Sequence, residues 1–124
     1  MPRASDAQRR SAVRQPVAIV PRLARIVYGG VAQRPVRLGI IDLSATGVNV
    51  RSRDELRAGD LLELTFVLDT EVTFQARVRR VTRYERVWDA GCAFEGVSEA
   101  QAERIVKFVF AQQRVTLRAR REGR

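Results

Sequence analysis

The chain is predicted to be a mainly β domain, an antiparallel sandwich or barrel with one helix at its C-terminal end. Two observations lead there. Leu62, Leu64, Phe66 and Leu68 alternate with Glu63, Thr65 and Val67, the period of a strand with one buried face, and further short apolar runs are separated by turn signals. The period then changes at Ser98, beyond which Ala102, Ile105, Val106, Val109 and Phe110 recur at helical spacing.

Taken in order, residues 1–8 read as a disordered leader. Residues 9–16 read as a basic arm that ends at Pro16, which disfavours helix at Gln15. Residues 1–16 are thus a flexible N-terminal arm. Residues 17–28 carry strand formers, although Pro21 limits them to an edge or to a strand beginning near Arg22. Gly29-Gly30 marks a turn, and a second strand covers residues 35–41. A third starts at Val48, and Ala58-Gly59-Asp60 turns the chain into the strand at 62–68. After the reversal at Asp69-Thr70-Glu71, Phe74, Ala76 and Val78 face inward on a run to about Arg83. Residues 87–94 form the last strand, so the sheet region spans 17–97. Ser98-Glu99-Ala100-Gln101 is a capping box, in which the Ser hydroxyl takes one orphan amide while Gln101 reaches back to another. The helix it opens is expected over 98–113, its apolar face closing one open end of the sheet. Residues 114–124 read as a basic disordered tail.

Composition narrows the function. With 124 residues the chain is one domain. Its net charge is +9, and Lys107 is the only lysine, so 22 of the 23 basic residues are arginine. Arginines load both ends, whereas acids offset them in the middle, so a polyanionic partner for the initial arm is the expectation. Cys92 is alone and sits in an apolar run, which excludes an internal disulfide and makes it a small core residue. With no His, a structural zinc site is excluded in practice, and no cofactor is expected. No apolar leader core and no 18-residue apolar run occur, so neither signal peptide nor membrane span is expected, and the cytoplasm is the default. General acid–base work would need a carboxylate or Tyr, and no paired carboxylates sit on a convincing cleft-forming loop. No GxxxxGK[ST] loop or Rossmann glycine pattern is present. The chain reads as a non-enzyme.

The site candidates centre on Asp42-Leu43-Ser44-Ala45-Thr46-Gly47, a polar hexamer between two apolar runs. Asp42 and Ser44 can bond backbone amides inside a turn, and Gly47 can take positive φ or admit another group close to the backbone. Upstream lies Arg10-Ser11-Ala12-Val13-Arg14. RxxxR also occurs at Arg53/Arg57, Arg79/Arg83, Arg114/Arg118 and Arg120/Arg124, so only position relative to the hexamer singles out the first pair.

RxxxR in an N-terminal arm followed by DxSxxG at a strand junction resembles the PilZ domain. Ala90-Gly91-Cys92-Ala93-Phe94 continues the likeness, similar to that family's late GxxF strand, as does the helical segment ending at Gln112-Gln113-Arg114. The resemblance implies a small antiparallel six-stranded β-barrel with a C-terminal helix, and a receptor for cyclic di-GMP that binds through Arg10, Arg14, Asp42, Ser44 and Gly47. Such a ligand offers two phosphates and two guanine O6/N7 edges, each suited to the planar arginine fork. Asp42 can accept from guanine N1–H and the exocyclic amine, Ser44 can donate to a phosphate or brace the turn, and Gly47 admits the ligand against the backbone. Arg9 extends the guanidinium row, a feature that in this family goes with an intercalated ligand dimer. Ordering of the arm would relay the signal to a protein target in polysaccharide synthesis, flagellar or pilus machinery. Two alternatives differ in class. One is a small basic barrel binding single-stranded nucleic acid, with Tyr84 and Trp88 as the plausible exposed aromatic pair. The other is a PilZ-like protein adaptor that binds no nucleotide.

Overall fold

The computed structural model describes residues 13–122. They form eight strands and one helix: β1 (Gln15–Ile19), β2 (Leu23–Tyr28), β3 (Val31–Pro35), β4 (Leu38–Ser44), β5 (Gly47–Ser52), β6 (Leu61–Val67), β7 (Glu71–Tyr84), β8 (Val87–Glu95) and α1 (Glu99–Glu122). All strand pairs are antiparallel, in the single order β1-β4-β5-β8-β7-β6-β2-β3.

The expected six-stranded closed barrel is thereby corrected to an eight-stranded open sheet with β1 and β3 at its edges. Two local causes account for the difference. The strand run at 17–28 breaks at Val20–Arg22, because Pro21 has no N–H to give to a ladder. Its halves then pair with different strands, β1 with β4 and β2 with β6. The second cause is β3. Gly29 and Gly30 both take positive φ, at 59° and 78°, and fold it back on β2 as a hairpin. All five β3 residues are exposed, so no alternation in the sequence announced the strand.

The same split dictates curvature. β1 and β2 stand six places apart in the strand order, about 29 Å in a flat sheet. The chain from Ile19 to Leu23 can span at most about 14 Å. The sheet must therefore curl, and its concave side encloses one core. Leu43, Val48, Val50, Leu62, Leu64 and Phe66 are fully buried there, and Phe74 joins Phe66 and Phe94 in tilted ring contacts of 5.7 and 5.1 Å. Cys92 belongs to this core, and burial pushes its thiol up to about 12, which leaves it inert as a nucleophile.

The helix start follows the capping box: Ser98 N donates to Gln101 Oε1 at 2.9 Å and Gln101 N to Ser98 Oγ at 3.1 Å. Ile105, Val106 and Val109 seal the core. The helix does not stop at the expected 113 but continues to Glu122. Residues 114–122 contain good helix formers and neither Gly nor Pro, and Arg120 and Arg121 in the last turn complement the helix dipole. A tail disordered from 114 is thus corrected to helix, about 36 Å long in all. No helix among the described residues is long and apolar enough to cross a membrane.

Candidate functional site

The hexamer is the β4–β5 hairpin, with Ala45 and Thr46 as its two-residue turn and Ser44 paired to Gly47. Strict alternation from the buried Ile40 would turn Asp42 inward. The register instead shifts between Ile40 and Asp42, so Ile40 and Leu43, three residues apart, both face the core. This bulge turns Asp42 outward, opposite Asn49 on β5.

Asp42 is held from two sides. Arg14 Nη1 donates to Oδ1 at 3.0 Å, and Asn49 Nδ2 donates to Oδ2 at 2.6 Å. The Arg14 side chain remains about half exposed, at 47%, against 22% for Asp42. The pair is thus accessible to a ligand and adds little to stability. Arg14 immediately precedes β1, which pairs with β4 through Gln15↔Leu43 and Pro16↔Asp42. That pairing brings the end of the arm to the hexamer. Arg9 and Arg10 lie outside the described residues.

Ser44 and Gly47, unlike Asp42, are closed off from solvent. Ser44 is buried; its Oγ lies 3.1 Å from Thr46 Oγ1, accepts from Thr46 N at 3.3 Å, and donates to the Gly47 carbonyl at 3.4 Å. Gly47 is not at positive φ. A Cβ there would run into the Cys92 carbonyl oxygen, because Gly47 packs directly on β8 opposite Ala93. What this glycine admits is the neighbouring strand. Of the two uses the sequence allows for Ser44, the geometry displays the brace.

Two side chains, Asn49 on Asp42 and Arg80 next to Asn49, were missed by motif reasoning. Asn49 was visible only as an alternating polar residue of β5. Arg80 follows a register shift in β7 and pairs with Gly91, where a Cβ would meet both Arg80 Nε and Asn49 Oδ1 at 3.1 Å. Gly91 therefore lets Arg80 lie flat beside Asn49, over a depression of about 180 Å³. A larger groove of about 570 Å³ lies between Arg14 and α1.

Several other surface arginines are neutralised locally. Arg51 and Asp89 form a bidentate pair at 2.8 Å, and Arg37 donates three bonds to Asp54. These bonds hold the Asp89 and Asp54 carboxyls below the usual carboxylate range. At the β7–β8 tip, Arg83 covers the Trp88 ring at 5.2 Å, while Tyr84 is exposed.

The profile of the PilZ domain matches residues 8–111. The chain belongs to the PilZ family. Three solved structures resemble this PilZ domain. YcgR from Escherichia coli, in complex with c-di-GMP, has a TM-score of 0.72 at 17% identity, covering 94% of this chain and 51% of that one. The Bacillus subtilis inhibitor of motility MotI/DgrA has 0.63 at 16%, covering 82% and 49%. The PilZ domain of CeSA from a cellulose-synthesizing bacterium has 0.56 at 19%, covering 82% and 99%. The present chain thus spans about half the length of YcgR and MotI. At these identities the likeness is one of fold. No curated protein sequence matches the chain.

Proposed function

We propose that this PilZ domain is a receptor for cyclic di-GMP, acting as a ligand-operated adaptor and not as a catalyst. The observation that carries the reading is the Arg14–Asp42 pair, which joins the arm to the strand junction on the outer face of the sheet. A guanidinium and a carboxylate side by side match a ligand that offers both anionic phosphates and guanine N–H donors. Arg14, with Arg9 and Arg10 of the arm, takes phosphates or guanine O6/N7 edges, and Asp42 takes the guanine N1–H side. Ser44 and Gly47 serve by holding the turn that presents Asp42. Asn49 fixes the orientation of that carboxylate.

Binding would exchange the Arg14–Asp42 contact for contacts to the ligand and order the arm against the sheet. A protein target in polysaccharide synthesis, flagellar or pilus machinery, in the cytoplasm, would read that change. Nucleic acid is the weaker partner, because Arg83 occupies the Trp88 face that a base would need.

Titration with cyclic di-GMP and with a single-stranded oligonucleotide, each at two salt concentrations, tests this reading. Saturable cyclic di-GMP binding is expected, with weak, steeply salt-dependent oligonucleotide binding. No cyclic di-GMP binding, or tighter oligonucleotide binding, rejects it.

A further inference from the structure

The groove of about 570 Å³ beside Arg14 has one wall from the arm and one from the end of α1. Gln113, Thr116, Leu117 and Arg120 form the helical wall, spaced so that they share one face of the helix. Arg14 and Pro16 stand opposite. No carboxylate lines the groove, and among the described residues Arg120 has no acidic partner. Two guanidiniums therefore border one concavity, and of the two only Arg14 has an acidic partner, Asp42. Leu117 is 54% exposed although it is apolar, and Pro16 is exposed across from it. A groove with cations on both walls, an apolar patch and nucleotide-sized volume suits an anion that carries a flat apolar face.

We infer that the last turns of α1 form a second wall of the dinucleotide site, with Arg120 binding a phosphate and Leu117 packing on a base. This rests on the receptor reading above and adds to it residues that neither motif contains. The helix end beyond Gln113 is exposed on all sides, so core packing does not account for its position beside the arm. A ligand bridging Arg14 and Arg120 would tie the arm to the helix and carry the signal to the C-terminal end of the chain.

The test is calorimetric titration of cyclic di-GMP into the native chain and into Arg120→Ala, Arg120→Glu, Arg118→Ala and Arg14→Ala. Arg118 lies on another face of the helix and controls for general attraction between the cationic end and an anion. A loss of about tenfold is expected for Arg120→Ala, as for one charge-assisted contact, and a larger one for Arg120→Glu. Arg118→Ala should stay within about twofold of native. Hydrogen exchange supplies a second readout, since ligand should slow exchange of amides 114–121, which fray in a solvated helix end. Native-like affinity in both Arg120 variants, equal losses at Arg118 and Arg120, or unchanged exchange overturns the second wall. None of those outcomes touches the receptor reading, which fails instead if the native chain does not bind or if Arg14→Ala binds as native does.

Discussion

Arg14 Nη1 lies 3.0 Å from Asp42 Oδ1, across 28 positions of sequence. The arm end and the hexamer are therefore in direct contact, through side chains that leave the pair partly open to solvent. An exposed pair of this kind has little to lose when a ligand replaces one of its members.

Arg14→Ala should lower cyclic di-GMP affinity by about tenfold or more, the worth of a charge-assisted contact. Arg10→Ala should act alike, and both should melt within a few degrees of native. Arg53→Ala, from another RxxxR pair, should bind as native does. Calorimetry with parallel thermal melts measures all three, and an Arg53 effect equal to that of Arg10 would reject the choice of pair.

Arg9 bears on stoichiometry. If the ligand-bound arm is extended, neighbouring side chains would point to opposite sides, and Arg9 and Arg10 would reach different layers of a stacked ligand dimer. Near two ligands per native chain are expected, and near one for Arg9→Ala. Titration well above the dissociation constant reads the ratio directly; a native ratio of one contradicts this role.

Asn49→Ala should weaken cyclic di-GMP binding several-fold with little change in melting temperature. It removes a 2.6 Å bond to Asp42 Oδ2 on the outer face and leaves the core intact. Affinity equal to native would mean that Asp42 needs no orienting partner.

Gly47→Ala should lower stability by about 1–3 kcal/mol or more, because its methyl group would meet the Cys92 backbone and force β5 away from β8. Gly39→Ala is the control: its nearest neighbour would be the Ile19 carbonyl oxygen at 3.9 Å, an ordinary contact. Chemical denaturation of the two variants separates close packing from a general intolerance of alanine at glycine.

Asp54 links stability to pH. Its bonds from Arg37 lower its folded value, so its contribution is present above the ordinary carboxylate range near 4 and is lost as pH falls through the lowered value. Native protein should melt a few degrees above Asp54→Asn at pH 7, and the gap should close toward pH 3. A constant gap would assign the difference to shape and not to charge.

Strand period, turn residues, helix cap and the motif pair were all legible in the sequence, because each depends on neighbours within a few positions. Alternation at Leu62–Leu68 and the reciprocal bonds of Ser98 and Gln101 are of this kind. The strand at 17–28 was legible as β but not as two strands, since which ladder accepts each side of Pro21 depends on β4 and β6, far along the chain. β3 had no signal at all, because an exposed edge strand buries nothing that would set a pattern.

At the site, the residues of the hexamer were apparent but their directions were not. Asp42 faces outward only because a bulge shifts the β4 register, and Gly47 is required by the β8 backbone and not by its own φ. Asn49 meets Asp42, and Arg80 meets Asn49, only through pairing across β4, β5, β8 and β7. Local patterning thus determined most of the strands, the start of the helix and the residue types of the candidate site. Long-range backbone pairing decided which of those side chains meet, because register sets the face on which each side chain emerges.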